Sequence, residues 1–322
     1  MWKYMCLFLL LPALGGPLLM SAKASAQNTD IRSPQRRSGL QAQRAKAAQS
    51  LSSRYLGGHY FLKSALVDIP FIAPYVSSSL EGAFATLHIA DAESDIKAAG
   101  LTPSFSGQFH IANAVGIELG AGFSEIIGAD DYSALVLGAN FSYAISATLR
   151  VPIIREEQWM LTTMLKFAPK HGTSFSPLVA VANEITTKAQ SSNFLISTST
   201  SHIEPGLLAA VTLSPVFGLS AELSRIFATT TTTPGGDQTD DGTVRTGLAL
   251  SSNLRPLLAI PIGLTAAYRN DWPTRSGVEA TPMYEFGIFE MLRPNFNFGA
   301  EMTRLMTSTP TISVLLSLTY YY

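Results

Sequence analysis

Residues 311–322 read TISVLLSLTYYY. The even positions are Ile312, Val314, Leu316, Leu318, Tyr320 and Tyr322, every one apolar or aromatic. The odd positions, Thr311, Ser313, Leu315, Ser317, Thr319 and Tyr321, are mostly small and polar. A strict period of two puts these sets on opposite faces of an extended strand. A half-buried strand of a soluble protein usually has charge on its wet face, and this one has none.

The same alternation runs backwards through the chain. Phe296, Phe298, Ala300 and Met302 oppose Asn295, Asn297, Glu301 and Thr303; Ile260, Ile262, Leu264, Ala266 and Tyr268 oppose Gly263, Thr265 and Arg269. Phe217, Leu219, Ala221 and Leu223 oppose Gly218, Ser220 and Glu222, and the longest run extends from Leu135 to Val151. In all there are roughly a dozen segments of about ten residues, the length at which a tilted strand crosses a bilayer. A soluble sandwich would bury the apolar faces in a doubled core. A membrane barrel would turn them to lipid and keep the polar set inside.

Composition favours the barrel. Only 14% of the 322 residues are charged and the net charge is −1, too little for a typical soluble surface and no basis for a nucleic-acid partner. The first residues supply an export address: a basic start at Lys3, an apolar run from Met5 to Met20 and the small triad Ala24-Ser25-Ala26. The expected organisation is a signal peptide over 1–26, a basic polar periplasmic segment over 27–66 and a barrel over 67–322. Cys6, the only cysteine, falls in the signal peptide, so no disulfide framework is expected.

Joined to that export signal, the closing strand resembles the C-terminal signature of bacterial outer-membrane β-barrel proteins, in which apolar residues alternate up to a final aromatic. The resemblance covers the last strand alone. It implies a transmembrane antiparallel up-and-down β-barrel, all-β, placed in the bilayer beside lipopolysaccharide. It also implies an assembly signal, carried here by Val314, Leu316, Leu318, Tyr320 and Tyr322, that is read by the barrel-assembly machinery. About twelve strands keep both termini periplasmic, with ten to fourteen allowed because the first strand is weak.

Chemistry is sparse. There is no phosphate loop, dinucleotide fingerprint or metal-spaced His or Cys cluster, so neither cofactor nor metal is expected and an enzyme, such as an outer-membrane hydrolase, is the minority reading. The lumen wall would carry the acids Glu118, Glu204, Glu222, Glu285 and Glu301 and the bases Arg150, Lys166, Arg245 and Arg269. These charges suit a narrow porin-like passive channel for small solutes, or an interior closed by salt bridges in a structural or adhesive barrel. Phe175, Leu178, Val181 and Ile185 recur at helical spacing, which predicts a short helix in a long extracellular loop, placed to constrict the mouth.

Overall fold

The computed structural model describes residues 54–88, 95–111, 115–177, 195–233, 236–275, 277–293, 295–307 and 309–322. Two short strands, β1 (Tyr55–Leu56) and β2 (His59–Tyr60), pair as a hairpin. Gly57 and Gly58 make its two-residue turn, both at positive φ (54° and 84°), the conformation that a twist-matched tight turn demands at both central positions.

Twelve strands then form a closed antiparallel barrel. They are β3 (Tyr75–His88), β4 (Asp95–Ile111), β5 (Val115–Gly128), β6 (Ala139–Arg155), β7 (Trp159–Phe175), β8 (Leu195–Thr212), β9 (Phe217–Thr233), β10 (Asp237–Asn253), β11 (Ile262–Pro273), β12 (Thr281–Arg293), β13 (Phe296–Leu305) and β14 (Thr311–Tyr321). Each pairs with its sequence neighbours, and β14 closes on β3 through the register Tyr321↔Tyr75 to Thr311↔Ala85. An even count returns the last strand to the mouth where the first began.

The exposed large side chains are the even set of β14 (Ile312, Val314, Leu316, Tyr320, Tyr322) together with Phe286, Ile288, Leu223, Leu165, Phe167, Ile145 and Phe123 on neighbouring strands. An apolar band around the outside of a cylinder whose backbone hydrogen bonds all close on themselves is what a hydrocarbon solvent requires. The fold is therefore a transmembrane barrel, and the strand register read from the sequence holds.

Three features depart from the expected outline. The strands are longer than about ten residues on one side: β6 to β10 have 17 or 18, whereas β13 and β14 have 10 and 11. The β9–β10 ladder extends as far as Thr232↔Asp237, because the run of Thr from 229 to 233 pairs well on a pleated surface. Second, the long strand from Leu135 begins instead at Ala139. Residues Asp131–Leu137 form a helix, α1, capped by Asp130, which accepts from Ser133 N at 2.8 Å, and ended by Gly138 at φ 65°. Third, Phe175 is the last residue of β7, paired with Ala139 and Leu195, and not part of a loop helix. Its ladder partners on both sides satisfy its backbone. Leu178, Val181 and Ile185 lie outside the described residues.

The barrel wall begins at Tyr75, later than the expected boundary at residue 67. Residues 54–74 are not a tail. They run inside the cylinder and supply ten of the 22 buried apolar side chains among the described residues.

Candidate functional site

Residues 54–74 form a finger that enters at the mouth beside Tyr321 and turns back at Ser64–Asp68. It returns to the same mouth, where Tyr75 starts β3 and its ring stands 5.8 Å from that of Tyr321. Three apolar clusters join finger to wall. Leu56, Phe61, Ile69 and Phe71 pack with Met160 and Ala210; Leu66 and Val67 with Ala249, Ala267 and Met283; Tyr60 and Leu62 with Phe289 and Met291. Burying several large side chains at about 1.5–3 kcal/mol each makes this a seated element rather than a passing chain.

The wall is shaped to receive it. A Cβ added at Gly218 would lie 2.6 Å from the Phe61 ring and collide with His59; at Gly263 it would lie 2.5 Å from Leu62 Cδ1. At Gly247 and Gly116 the obstacles are Val67 and Ile72, each at 2.9 Å. Glycine inside a strand is otherwise a weak choice, and here it opens room for a second backbone.

The tip is held by polar groups. Glu285 accepts from Leu66 N at 2.7 Å and from the Ser64 hydroxyl at 2.9 Å, Glu301 accepts from Ala65 N at 2.9 Å, and Glu222 accepts from Asp68 N at 3.0 Å. Arg269 donates to Leu66 O at 3.2 Å. Arg150 Nη2 stands 3.1 Å from Asp68 and 2.9 Å from Glu118, which is also 3.4 Å from Lys63 Nζ. A second group pairs Arg245 with Glu204 at 2.8 Å and with Asp271 at 3.0 Å.

All nine lumen candidates therefore sit at inward positions. Glu118, Arg150, Glu222, Arg269, Glu285 and Glu301 meet the finger itself; Glu204 and Arg245 pair with each other. Lys166 lies across from Glu204 in the ladder. Sequence reasoning missed Lys63, Ser64, Asp68 and Asp271. Asp271 carried a usable signal, since it lies two residues after Arg269 on the same face. Lys63, Ser64 and Asp68 themselves carried none, because their segment has no strand alternation.

Charge inside the finger follows these contacts. Burial alone would raise the Asp68 carboxyl, but Arg150, Lys63, Lys166 and Arg245 hold it down to about 2. Burial would lower the Lys63 ammonium, yet Glu118, Tyr75 and Asp68 push it above its usual range. His59 is lowered by burial, partly opposed by its contact with the Pro215 carbonyl at 3.3 Å; its other ring nitrogen is 2.9 Å from Ser251 Oγ.

The finger does not fill the lumen evenly. It packs against β5 to β13 and leaves a gap of about 160 Å³ against β14, β3 and β4, lined on the wall side by the hydroxyls of Ser77, Ser79, Ser104, Ser106, Ser317 and Thr319. Ser79 and Ser104 are 2.6 Å apart, and Ser77 and Thr319 are 2.8 Å apart. Among the described residues, no group of His, Cys, Asp and Glu could hold a metal.

No family model and no curated protein matches the chain. Solved structures do. The translocator domain of the autotransporter NalP from Neisseria meningitidis aligns over 89% of this chain and 96% of its own, with a TM-score of 0.54 and 12% identity. An outer-membrane channel from Pseudomonas putida aligns over 81% of this chain and 100% of its own, with a TM-score of 0.50 and 9% identity. At such identities the likeness concerns the fold alone.

Proposed function

We propose that this chain is a bacterial outer-membrane barrel that acts as a narrow passive channel for small solutes, its passage running between the finger and the serine-lined wall. The observation that carries the reading is the one-sided filling of the lumen. Glycines and apolar clusters seat the finger against β5 and β7 to β13, whereas the wall at β14, β3 and β4 beside the gap carries small hydroxyls that bond one another and leave the gap open. Hydroxyl-lined space passes polar solutes by exchanging their hydration for wall hydrogen bonds. In this reading the short-turn mouth faces the periplasm, lipid and lipopolysaccharide surround the apolar band, and the even set of β14 serves the barrel-assembly machinery. The charged wall groups hold the finger in place and have no role in catalysis.

The test is single-channel recording from refolded protein in planar bilayers. A small, steady conductance is expected, falling severalfold when Ser79 and Ser104 are both replaced by Trp and rising severalfold when residues 59–71 are removed. A heat-modifiable, folded full-length barrel that stays silent, whatever the finger deletion does, would overturn the channel in favour of a structural barrel.

A further inference from the structure

Arg54 stands at the start of the finger, only 4% exposed, beside the serine-lined gap. Its guanidinium carbon lies 4.5 Å from the centroid of the Tyr60 ring and 4.3 Å from that of Tyr321. One terminal nitrogen donates to the Tyr321 hydroxyl, and the other donates to the Asn297 side-chain oxygen at 3.0 Å in the amide orientation that satisfies both groups. Its Nε has no hydrogen-bond partner among the described residues. Among the described residues, every one of these contacts is with a neutral group. No carboxylate among the described residues pairs with this cation, whereas Arg150 and Arg245 each have two and Lys63 has one.

A buried, uncompensated guanidinium is costly to keep, and two aromatic faces recover only part of the lost hydration. The same gap is bordered further in by Glu301, which accepts from Ala65 N, and by Lys63, whose charge is met by Glu118. The net opening is therefore a cation at the mouth end, hydroxyls along the wall and an acceptor at the inner end.

We infer that this gap binds a small hydroxylated carboxylate, with Arg54 taking the carboxylate and the serine wall and Glu301 taking its hydroxyls. The fork of a guanidinium matches a carboxylate's two oxygens, and each serine can donate or accept as a polyol requires. Glu301 can accept a hydrogen bond from a solute hydroxyl at the inner end; inorganic phosphate lacks the carbon chain that would carry hydroxyls along the serine wall, and glycerol lacks the carboxylate for Arg54. A space of about 160 Å³ falls below the several hundred typical of drug-sized sites, so the solute is only a few carbons long. The inference names the solute class for the channel proposed above and rests on that reading for its physiological sense, but binding can be measured without flux.

The experiment is calorimetric titration of the refolded full chain with glycerate, glycerol and inorganic phosphate. One glycerate site is expected, with glycerol and phosphate at least tenfold weaker. Arg54→Gln should weaken glycerate at least tenfold. Because that change could unseat the finger, Ser104→Trp, which leaves Arg54 and its rings untouched, should abolish binding as well. Equal glycerate affinity in wild type and both variants, equal affinity for phosphate, or no glycerate heat from the folded wild type would each overturn the assignment. Glycerate binding by a barrel that is silent in bilayers would keep this site and sink the channel; conductance without glycerate binding would do the reverse.

Discussion

Arg150 on the wall and Asp68 at the tip of the finger stand 3.1 Å apart, and the same nitrogen of Arg150 is 2.9 Å from Glu118. One guanidinium, 2% exposed, thus answers a carboxylate of the barrel and a carboxylate of its contents. Asp68→Asn leaves Arg150 with Glu118 and should cost about 2–3 kcal/mol, the worth of a hydrogen bond to a charged group. Arg150→Met leaves two buried acids facing Lys63 and should cost about 3–5 kcal/mol. Urea unfolding in lipid vesicles ranks the two; the opposite order would mean that Arg150 is anchored elsewhere.

Acid should release the finger in two stages. The His59 imidazole is lowered from 6.5, so its neutral form favours the seated state and seating weakens as pH falls below about 6.5. Asp68 is lowered from 3.8 to about 2, so its contribution is whole above about 4 and is lost as pH falls towards 2. A cysteine placed at buried Leu66 reports this through its reactivity with a dithiodipyridine. The first rise should vanish in His59→Gln and the second in Asp68→Asn, each leaving the other in place.

The glycine fit gives a contrast between two substitutions. Gly218→Val drives a branched side chain into Phe61 and His59 and should cost about 1–3 kcal/mol through overpacking, with faster trypsin cleavage after Lys63. A Cβ at Gly82 meets nothing within 4 Å, so Gly82→Ala should be neutral or slightly stabilising. Unchanged cleavage in Gly218→Val would show that the finger does not press on β9.

Position around the wall should sort arginine substitutions into three grades. Ile288→Arg, mid-strand on the lipid face, should cost about 2–4 kcal/mol. Thr265→Arg should cost at least as much despite its inward position, because Thr265 is buried and 3.4 Å from Glu285 beneath the finger. Ser79→Arg, facing the gap, should cost less than either. Equal costs at Thr265 and Ser79 in vesicle unfolding would contradict the one-sided filling.

The wall was legible because period-two patterning fixes strand, face and register together. Phe296, Ile288 and Leu223 could point only one way once their neighbours were polar. The inward charges were legible for the same reason. The finger was not: Phe61, Leu62, Val67, Ile69, Phe71 and Ile72 are apolar without alternation or helical spacing, since a segment without strand or helix, packed into a curved wall, has no repeating geometry to set a period. Its apolar run was readable as a core in need of a container, and the excess of inward glycines at 116, 218, 247 and 263 was the matching sign. The helix at Asp131–Leu137 was hidden by Leu135 and Leu137, which continue a strand-like alternation in phase with Phe141.

The finger begins and ends at one mouth, so no part of it is threaded through the barrel. Arg54 and Tyr75 both neighbour Tyr321, and Tyr322 N donates to Pro74 O across the seam between the last strand and the first. A stopper whose two stems leave by the same opening can be drawn out and pushed back with the cylinder intact, as a cork leaves a bottle without breaking the glass. During synthesis the order is reversed. The finger precedes every wall strand in the chain, and the seam to β3 joins the first wall strand to the last, so the wall can be assembled around contents already folded back on themselves. The same geometry that allows later withdrawal lets the barrel be cast around its own mould.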